Sequence, residues 1–272
     1  MGEGRLMAIL RYTILGCGSS GGVPRLGSNW GACDPDNPKN FRRRCSILVE
    51  RIEGDQVTRV LIDTSPDLRM QMLDAGVGNL DAVIYTHPHA DHIHGIDDLR
   101  MIVFNQKKRL PVWADGQTSE RLLSGFAYAF VQPEGSPYPP ILDLNTIQGP
   151  VTIKGAGGAI GFDPFEVKHG AIDSLGFVIG NLAYLPDVSE MTDEAWQAVD
   201  KIGVFVLDAL RYEPHPTHTH FAQSLEWIAQ SGAARGVLTN MHIDLDYQVV
   251  QDTTPEHIDA AYDGMVIELP AP

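Results

Sequence analysis

The 272 residues carry 35 acidic against 20 basic side chains, a formal charge of −15 and a pI near 4.9. That balance excludes a long nucleic acid as partner, because sequence-independent binding draws on many Lys and Arg contacts to phosphate. A small phosphorylated substrate stays compatible with it, since bound divalent cations reverse the local field. With 43% hydrophobic and 20% charged residues the composition is globular, and the length suits a real core. No apolar run approaches the roughly eighteen residues a membrane helix needs, and "MGEGRLMAIL" lacks a signal-peptide apolar region. Cys17, Cys33 and Cys45 follow no even or CxxC pattern, which fits a reducing compartment. The expectation is a cytoplasmic protein without a membrane partner.

Residues 7–20 read as a strand entering a glycine-rich turn, and 18–40 as a long loop rich in Gly, Asn, Asp and Pro. Loops of that length inside compact domains are commonly functional. "CSILVERI" and "TRVLIDT" form a hairpin across "EGDQ". A helix follows over 65–76, opened by Ser-Pro and closed by Gly. Next come a strand at 81–86, a helix at 92–106, a strand at 110–115 and a helix at 118–129. Residues 131–150 are a proline-rich excursion. "VTIKG", "FDPFEVKHG" and "LGFVIGNLAYLPD" supply strands, and a helix over 189–202 takes Ser189 as its cap. A strand at 204–210, a helix at 220–232 and a strand at 235–241 complete the pattern. Strands come first and then alternate with helices, without repeat or linker. This order predicts one α/β domain over 1–272, with two packed sheets covered by helices.

Residues 86–95 read "THPHADHIHG", placing four of the chain's ten histidines within eight positions. Buried neutral imidazoles need partners and charged ones repel, and a metal ion removes both problems. In an extended segment His87 and His89 share one side, while Asp91 and His92 enter the following helix and face a second ion. His94 reads as a helix-surface residue. Downstream, "FEVKHG" ends in His169, "LAYLPD" in Asp187 and "VLTNMH" in His242, each at a strand end. Seven N and O ligands (His87, His89, Asp91, His92, His169, Asp187 and His242) suffice for two open sites.

H-x-H-x-D-H, followed by a strand-end His, a strand-end Asp and a late His, resembles the metallo-β-lactamase superfamily. The resemblance implies a four-layer αβ/βα sandwich with a dinuclear site at one edge. It assigns His87, His89 and His169 to one ion, Asp91, His92 and His242 to the other, and Asp187 to the bridge. "GCGSSGGVPRLG", "RRRCSILV", "LIDTSPDLR", "RYEPHPTHTHFAQSLEW" and "AYDGM" extend the likeness over nearly the whole chain. They resemble the phosphodiesterase branch, which contains the phosphoribosyl cyclic phosphate phosphodiesterase of the carbon–phosphorus lyase pathway and, more distantly, tRNA 3′-processing endonucleases.

Two departures stand out. The branch has "LTH" where this chain has "LTNMH", so Asn240 stands at the ligand position and His242, two residues on, is the substitute. The first long loop keeps Cys33 but has Ser28 and Trp30 where some members carry further cysteines, so no structural zinc is expected and the three cysteines are packing residues.

The branch also places a non-ligand histidine, in contact with the substrate phosphate, just before the "FAQSLEW" helix. That position is His218, with His220 as fallback and His215 as a solvated residue. A histidine titrating near neutrality can bond a phosphoryl oxygen and protonate a departing alkoxide. Asp63, ending "VLIDT", is placed to orient a ligand histidine or to cap a turn. The glycines of "GSSGG" either approach phosphate with backbone N–H groups or form only a turn. The function expected is hydrolysis of a small cyclic or nucleotide-like ribose phosphate diester by hydroxide formed on two divalent ions, Zn²⁺ or Mn²⁺, with Asp91 and His218 catalytic. A lactonase or thioesterase on the same fold and a non-catalytic nucleotide-binding relative are the alternatives, and a homodimer is the assembly suggested.

Overall fold

The computed structural model describes residues 8–132 and 134–272. Met7, where the sequence starts its first strand, and Pro133 in the proline-rich excursion lie outside the described residues. Two seven-stranded sheets face each other. The first consists of β1 (Ile9–Gly16), β2 (Ser46–Glu53), β3 (Gln56–Ile62), β4 (Ala82–Ile84), β5 (Leu110–Ala114), β6 (Leu142–Thr146) and β14 (Met265–Pro270), in the order β14-β1-β2-β3-β4-β5-β6. The second consists of β7 (Val151–Gly155), β8 (Gly158–His169), β9 (Ile172–Ile179), β10 (Leu182–Leu185), β11 (Val204–Asp208), β12 (Arg235–Thr239) and β13 (Ile258–Ala260), in the order β13-β12-β11-β10-β9-β8-β7. Each sheet is antiparallel in one half and parallel in the other, the parallel strands being β3 to β6 and β10 to β13.

Between the sheets lies a core from Tyr12, Ile47, Val60 and Ile84 on one side to Phe162, Phe177, Val206 and Val237 on the other. On the outer face of the first sheet, α1 (Leu68–Asp74), α3 (Leu99–Gln106) and α4 (Gly116–Phe130) bury Leu68, Leu99, Ile102 and Leu122 against Leu48, Leu61 and Val83. On the second sheet, α5 (Asp193–Ala198), α6 (Phe221–Ser231) and α7 (Tyr247–Thr253) bury Ala195, Ile228 and Val250. The result is the four-layer αβ/βα sandwich. Strands covered on both faces, such as "SILV" and "VFVLD", read as continuous apolar runs for that reason. β8 alternates instead, and its period of two carries His169 into the same buried row as Phe165 and Val167.

Several elements differ from the sequence reading. The helix expected over 92–106 is three pieces: α2 (Ala90–Ile93), a 3₁₀ turn at Ile96–Asp98, and α3. The break is at Gly95, whose N–H donates to Thr64 O and where an added Cβ would lie 2.0 Å from Ser65 O. The loop 64–65 thus packs into the space a side chain would fill. Helix α5 starts at Asp193, capped by Thr192, while Ser189 Oγ donates to Lys168 O. Within the proline-rich excursion, β6 pairs parallel with β5. Helix α7 and strands β13 and β14 have no counterpart in the sequence reading.

Asp263, in the turn before β14, ties the start of the glycine-rich loop to the segment that leads into β2. Its carboxylate accepts from Cys17 N (3.2 Å) and Arg43 N (2.8 Å). Burial pushes this carboxyl up to about 7, against the pull of those donors. An unfolded Asp titrates near about 4, so the folded state favours the neutral acid. The stability it contributes is complete below about pH 4 and is lost as pH rises to 7. Asp263→Asn should therefore gain on the wild type in urea unfolding between about pH 5 and pH 8. A constant difference across that range would contradict this account.

Candidate metal centre

The parallel strands of both sheets end at one edge, where ligand sites of α/β sheets form. β4 runs on through Thr86 to His87, and His89 stands at the N-terminal boundary of α2 in extended conformation. Asp91 and His92 follow in that helix. His169 ends β8, Asp187 lies two residues beyond β10, and His218 precedes α6.

Among the described residues three groups bring ligand atoms within 4.8 Å of one another: His87, His89 and His169; His87, His92 and Asp187; His169, Asp187 and His218. Asp187 faces two ways. Its Oδ2 is 3.0 Å from His92 Nε2, while its Oδ1 is 3.8 Å from His169 Nε2 and 3.6 Å from His218 Nδ1. These His/Asp triads form two clustered metal-binding sites, in keeping with a dinuclear centre.

His92, His87 and His169 are locked from behind, while His89 Nδ1 faces His169 Nε2 at 3.0 Å. Asp63, in left-handed conformation (φ 63°) after β3, accepts from Thr86 N (2.8 Å), Thr86 Oγ1 (2.8 Å) and His92 Nδ1 (2.7 Å). Thr86 Oγ1 in turn accepts from His87 Nδ1 (2.9 Å), and Thr217 O accepts from His169 Nδ1 (2.6 Å). The Nε2 lone pairs are thereby turned toward the cluster. His87 Nε2 is buried without a hydrogen-bond partner, and the buried His92 Nε2 and Asp187 Oδ2, 3.0 Å apart, have no partner but each other. Such a cluster of buried donors and acceptors turned on one spot is costly, and a divalent cation is the group it fits. Burial holds His87, His89 and His169 below the ordinary histidine value, in the neutral form a cation binds. Burial acts the same way on His92, but Asp187, Asp91 and Asp63 outweigh it and raise its pKa.

Asp91 lies beside the triads, its Oδ2 3.5 Å from His92 Nε2. His220 sits at the N-terminal boundary of α6 with Nδ1 buried and unpartnered. His94 is exposed and packs edge-on against Phe126. His242 is not brought into the triads. β12 ends at Thr239, and Asn240 adopts φ 60°, so residues 240 and 242 no longer share a strand face. His242 bonds Asp244 Oδ1 (2.7 Å) and Arg25 instead. It is Asn240 that reaches the centre, its Nδ2 donating to Asp208 Oδ1 (3.1 Å) and Asp187 Oδ1 (3.4 Å).

Sequence reasoning missed Asp208. It is fully buried at the end of β11 and accepts from His218 Nδ1 (2.8 Å) and Val188 N (3.2 Å). Burial and Asp187 push its carboxyl up to about 6, against His218. Burial would lower His218, but Asp208 and Asp187 raise it to about 9. The signal was present: "VFVLD", like "VLIDT", ends an apolar strand in Asp at the same sheet edge.

The model of the Beta-lactamase superfamily domain matches residues 58–243. The chain belongs to the metallo-β-lactamase superfamily. Within it the chain falls in the PhnP/RNase Z-like phosphodiesterase branch. It is similar to a new diphosphatase from the PhnP family, a crystal structure matched at TM-score 0.86 and 32% identity over 97% of this chain and 99% of that one. It is 33% identical over 261 residues to an octanoyltransferase from Porphyromonas gingivalis, covering 94% of this chain and 51% of that protein. A ribonuclease Z from Aeropyrum pernix is 32% identical over 108 residues, 39% of this chain and 29% of that protein. The chain thus spans about half, or less, of the length of these two relatives. In metallo-β-lactamase fashion the site lies where both sheets' parallel strands end. Among the described residues no helix is long and apolar enough to cross a membrane, and the three cysteines are free and buried.

Proposed function

We propose that the protein is a dinuclear metal-dependent phosphodiesterase acting on a small cyclic or nucleotide-like ribose phosphate diester. The observation that carries this reading is the convergence of buried His87 Nε2, His92 Nε2 and Asp187 Oδ2, with no partner outside their own cluster, next to a histidine with its own buried carboxylate partner. Similarity to a diphosphatase of the PhnP family supports a phosphoryl centre over a carbon one. His87, His89, His92, His169 and Asp187 would hold the ions, with Asp91 beside them. Two divalent ions, Zn²⁺ or Mn²⁺, would neutralise the phosphoryl oxygens and make water acidic enough to attack near neutral pH.

The chain's own groups do the rest. Asp63, Thr86 and the Thr217 carbonyl keep His92, His87 and His169 in one tautomer each. Asp208 fixes His218 through Nδ1, leaving Nε2 to donate to the substrate. Asp208 and Asp187 favour the protonated form of His218, which can hydrogen-bond the phosphate and pass its proton to the departing ribose oxygen. Asn240 braces Asp208 and Asp187 against each other.

Turnover after loading with Zn²⁺ or Mn²⁺ tests the reading. Bis-p-nitrophenyl phosphate and a 2′,3′-cyclic nucleotide should be hydrolysed, and a lactone and an octanoyl thioester should not. Turnover of the carbon esters without the phosphodiesters would overturn it.

A further inference from the structure

We propose that the helix layer over the first sheet is a docking surface for a second copy of this chain, with α3 packed antiparallel on its counterpart about a two-fold axis between Ile102 and Val103. This is independent of the phosphodiesterase reading. Of the 13 large hydrophobic side chains exposed among the described residues, six lie on α1, α3 and α4: Met70, Leu73, Met101, Phe104, Leu123 and Tyr128. The helices over the second sheet, α5, α6 and α7, expose one, Val249. Both layers cover a sheet in the same way, so the fold itself does not require the difference. Apolar side chains scattered singly need no explanation, but a layer that gathers them marks an interaction site.

The pattern along α3 names the occupant. This helix is in the middle of its layer: it shares a hollow with α1, and Asp97 at its start accepts from Tyr128 of α4 (3.1 Å). Inward, Leu99, Ile102 and Val103 are buried. Outward, Met101 is 56% and Phe104 59% exposed. Asp97 and Asp98 stand just before the helix, and Lys107 and Lys108 just after it. Asp97, Met101, Phe104 and Lys108 follow the spacing i, i+4, i+7, i+11 of a single helix face. The proposed axis sets Met101 opposite Phe104 of the second copy and Asp97 opposite its Lys108. The stripe thus meets itself reversed, apolar on apolar and acid on base, as an isologous interface requires.

Charge and shape both leave room for the partner. Lys107 and Lys108 make no ion pair among the described residues, unlike Arg109 beside them, which pairs with Asp143. Asp97 accepts from Arg100 (2.9 Å) and still has 62% of its side chain exposed. The hollow between α1 and α3, about 270 Å³, is walled by Leu68, Met72, Leu73, Met101 and Ile102. It opens beside Met101, where the second copy's Phe104 ring would arrive. The six exposed side chains offer several hundred Å² toward the roughly 800 Å² per partner of a stable dimer. Each copy carries a net charge of −15, so two copies repel over most orientations. Pairing of the α3 ends selects the one orientation in which they attract.

Sedimentation equilibrium of the full chain at micromolar concentration tests this. The wild type should give twice the 29.8 kDa chain mass. Phe104→Glu should raise the dimer dissociation constant by roughly 30-fold or more, as the loss of a central anchor does, since the symmetry meets each substitution twice. Asp97→Lys and Lys108→Glu should each weaken the dimer several-fold, and the two combined in one chain should restore it, because the pair is only reversed. Val249→Glu, on the other helix layer, should change nothing. Far-UV circular dichroism and metal content should be unaltered in every variant, which separates a lost contact from a lost fold. A monomeric wild type, a dimer indifferent to Phe104→Glu, or a combined charge swap that fails to restore association would overturn the proposal.

Discussion

Asp187→Ala is expected to lower both metal ions together. The carboxylate presents Oδ2 to His92 and Oδ1 to the side of His169 and His218, and it belongs to two of the three ligand groups. Burial alone would raise its pKa, yet His92 and the other imidazoles around it hold it well below the usual carboxylate range. Alanine would take away the carboxylate oxygens beside His92 Nε2 and His169 Nε2. Metal analysis of protein prepared without chelator should fall from near two equivalents toward none. Activity should drop by more than the roughly 10- to 100-fold typical of losing a partner behind a ligand. Loss of one ion with the other retained would show that Asp187 does not bridge.

Replacing His218 separates two roles that its position permits. His218 stands with His169 and Asp187 in a possible ligand group, and its Nδ1 is occupied by Asp208. As a general acid, His218→Ala should retain both metals and lose about 10²–10⁴-fold in turnover on a ribose-type ester. The loss should shrink on a p-nitrophenyl ester, whose leaving group departs without a proton. Equal losses on both would reduce His218 to positioning the phosphate, and loss of a metal would make it a ligand.

The centre was legible in the sequence where short-range geometry delivers it. His87, His89 and His92 are set by one strand end and one helix turn, and His169 by strand alternation along β8. Asp187 follows an apolar strand directly. His242 lies outside the triads because a single left-handed residue, Asn240, breaks the extended periodicity that would carry 240 and 242 on one face. The partnership of Asp208 with His218 joins residues ten apart in chain and in different elements, so no local pattern encodes it. Gly95 divided a helix through packing against 64–65, a tertiary effect that local periodicity does not contain. Strand β14 was missed for a related reason. "MVIEL" alternates over one short segment, and its partner β1 lies at the other end of the chain.

That last pairing bears on the order of events during synthesis. β13 joins the second sheet and β14 crosses to the first, placing Pro270 opposite Ile9. At about 5–20 residues per second, β1 waits for roughly 13–50 seconds of translation before its outer neighbour exists. By the end of that interval the histidines and aspartates of the centre have been made, while one edge of β1 is still bare. An unpaired strand edge is a template for other chains, and contacts of such long sequence separation form slowly. The most exposed moment for this protein is therefore just before β14 is made, when a nascent chain can hold all its metal ligands and still lack the strand that closes its first sheet.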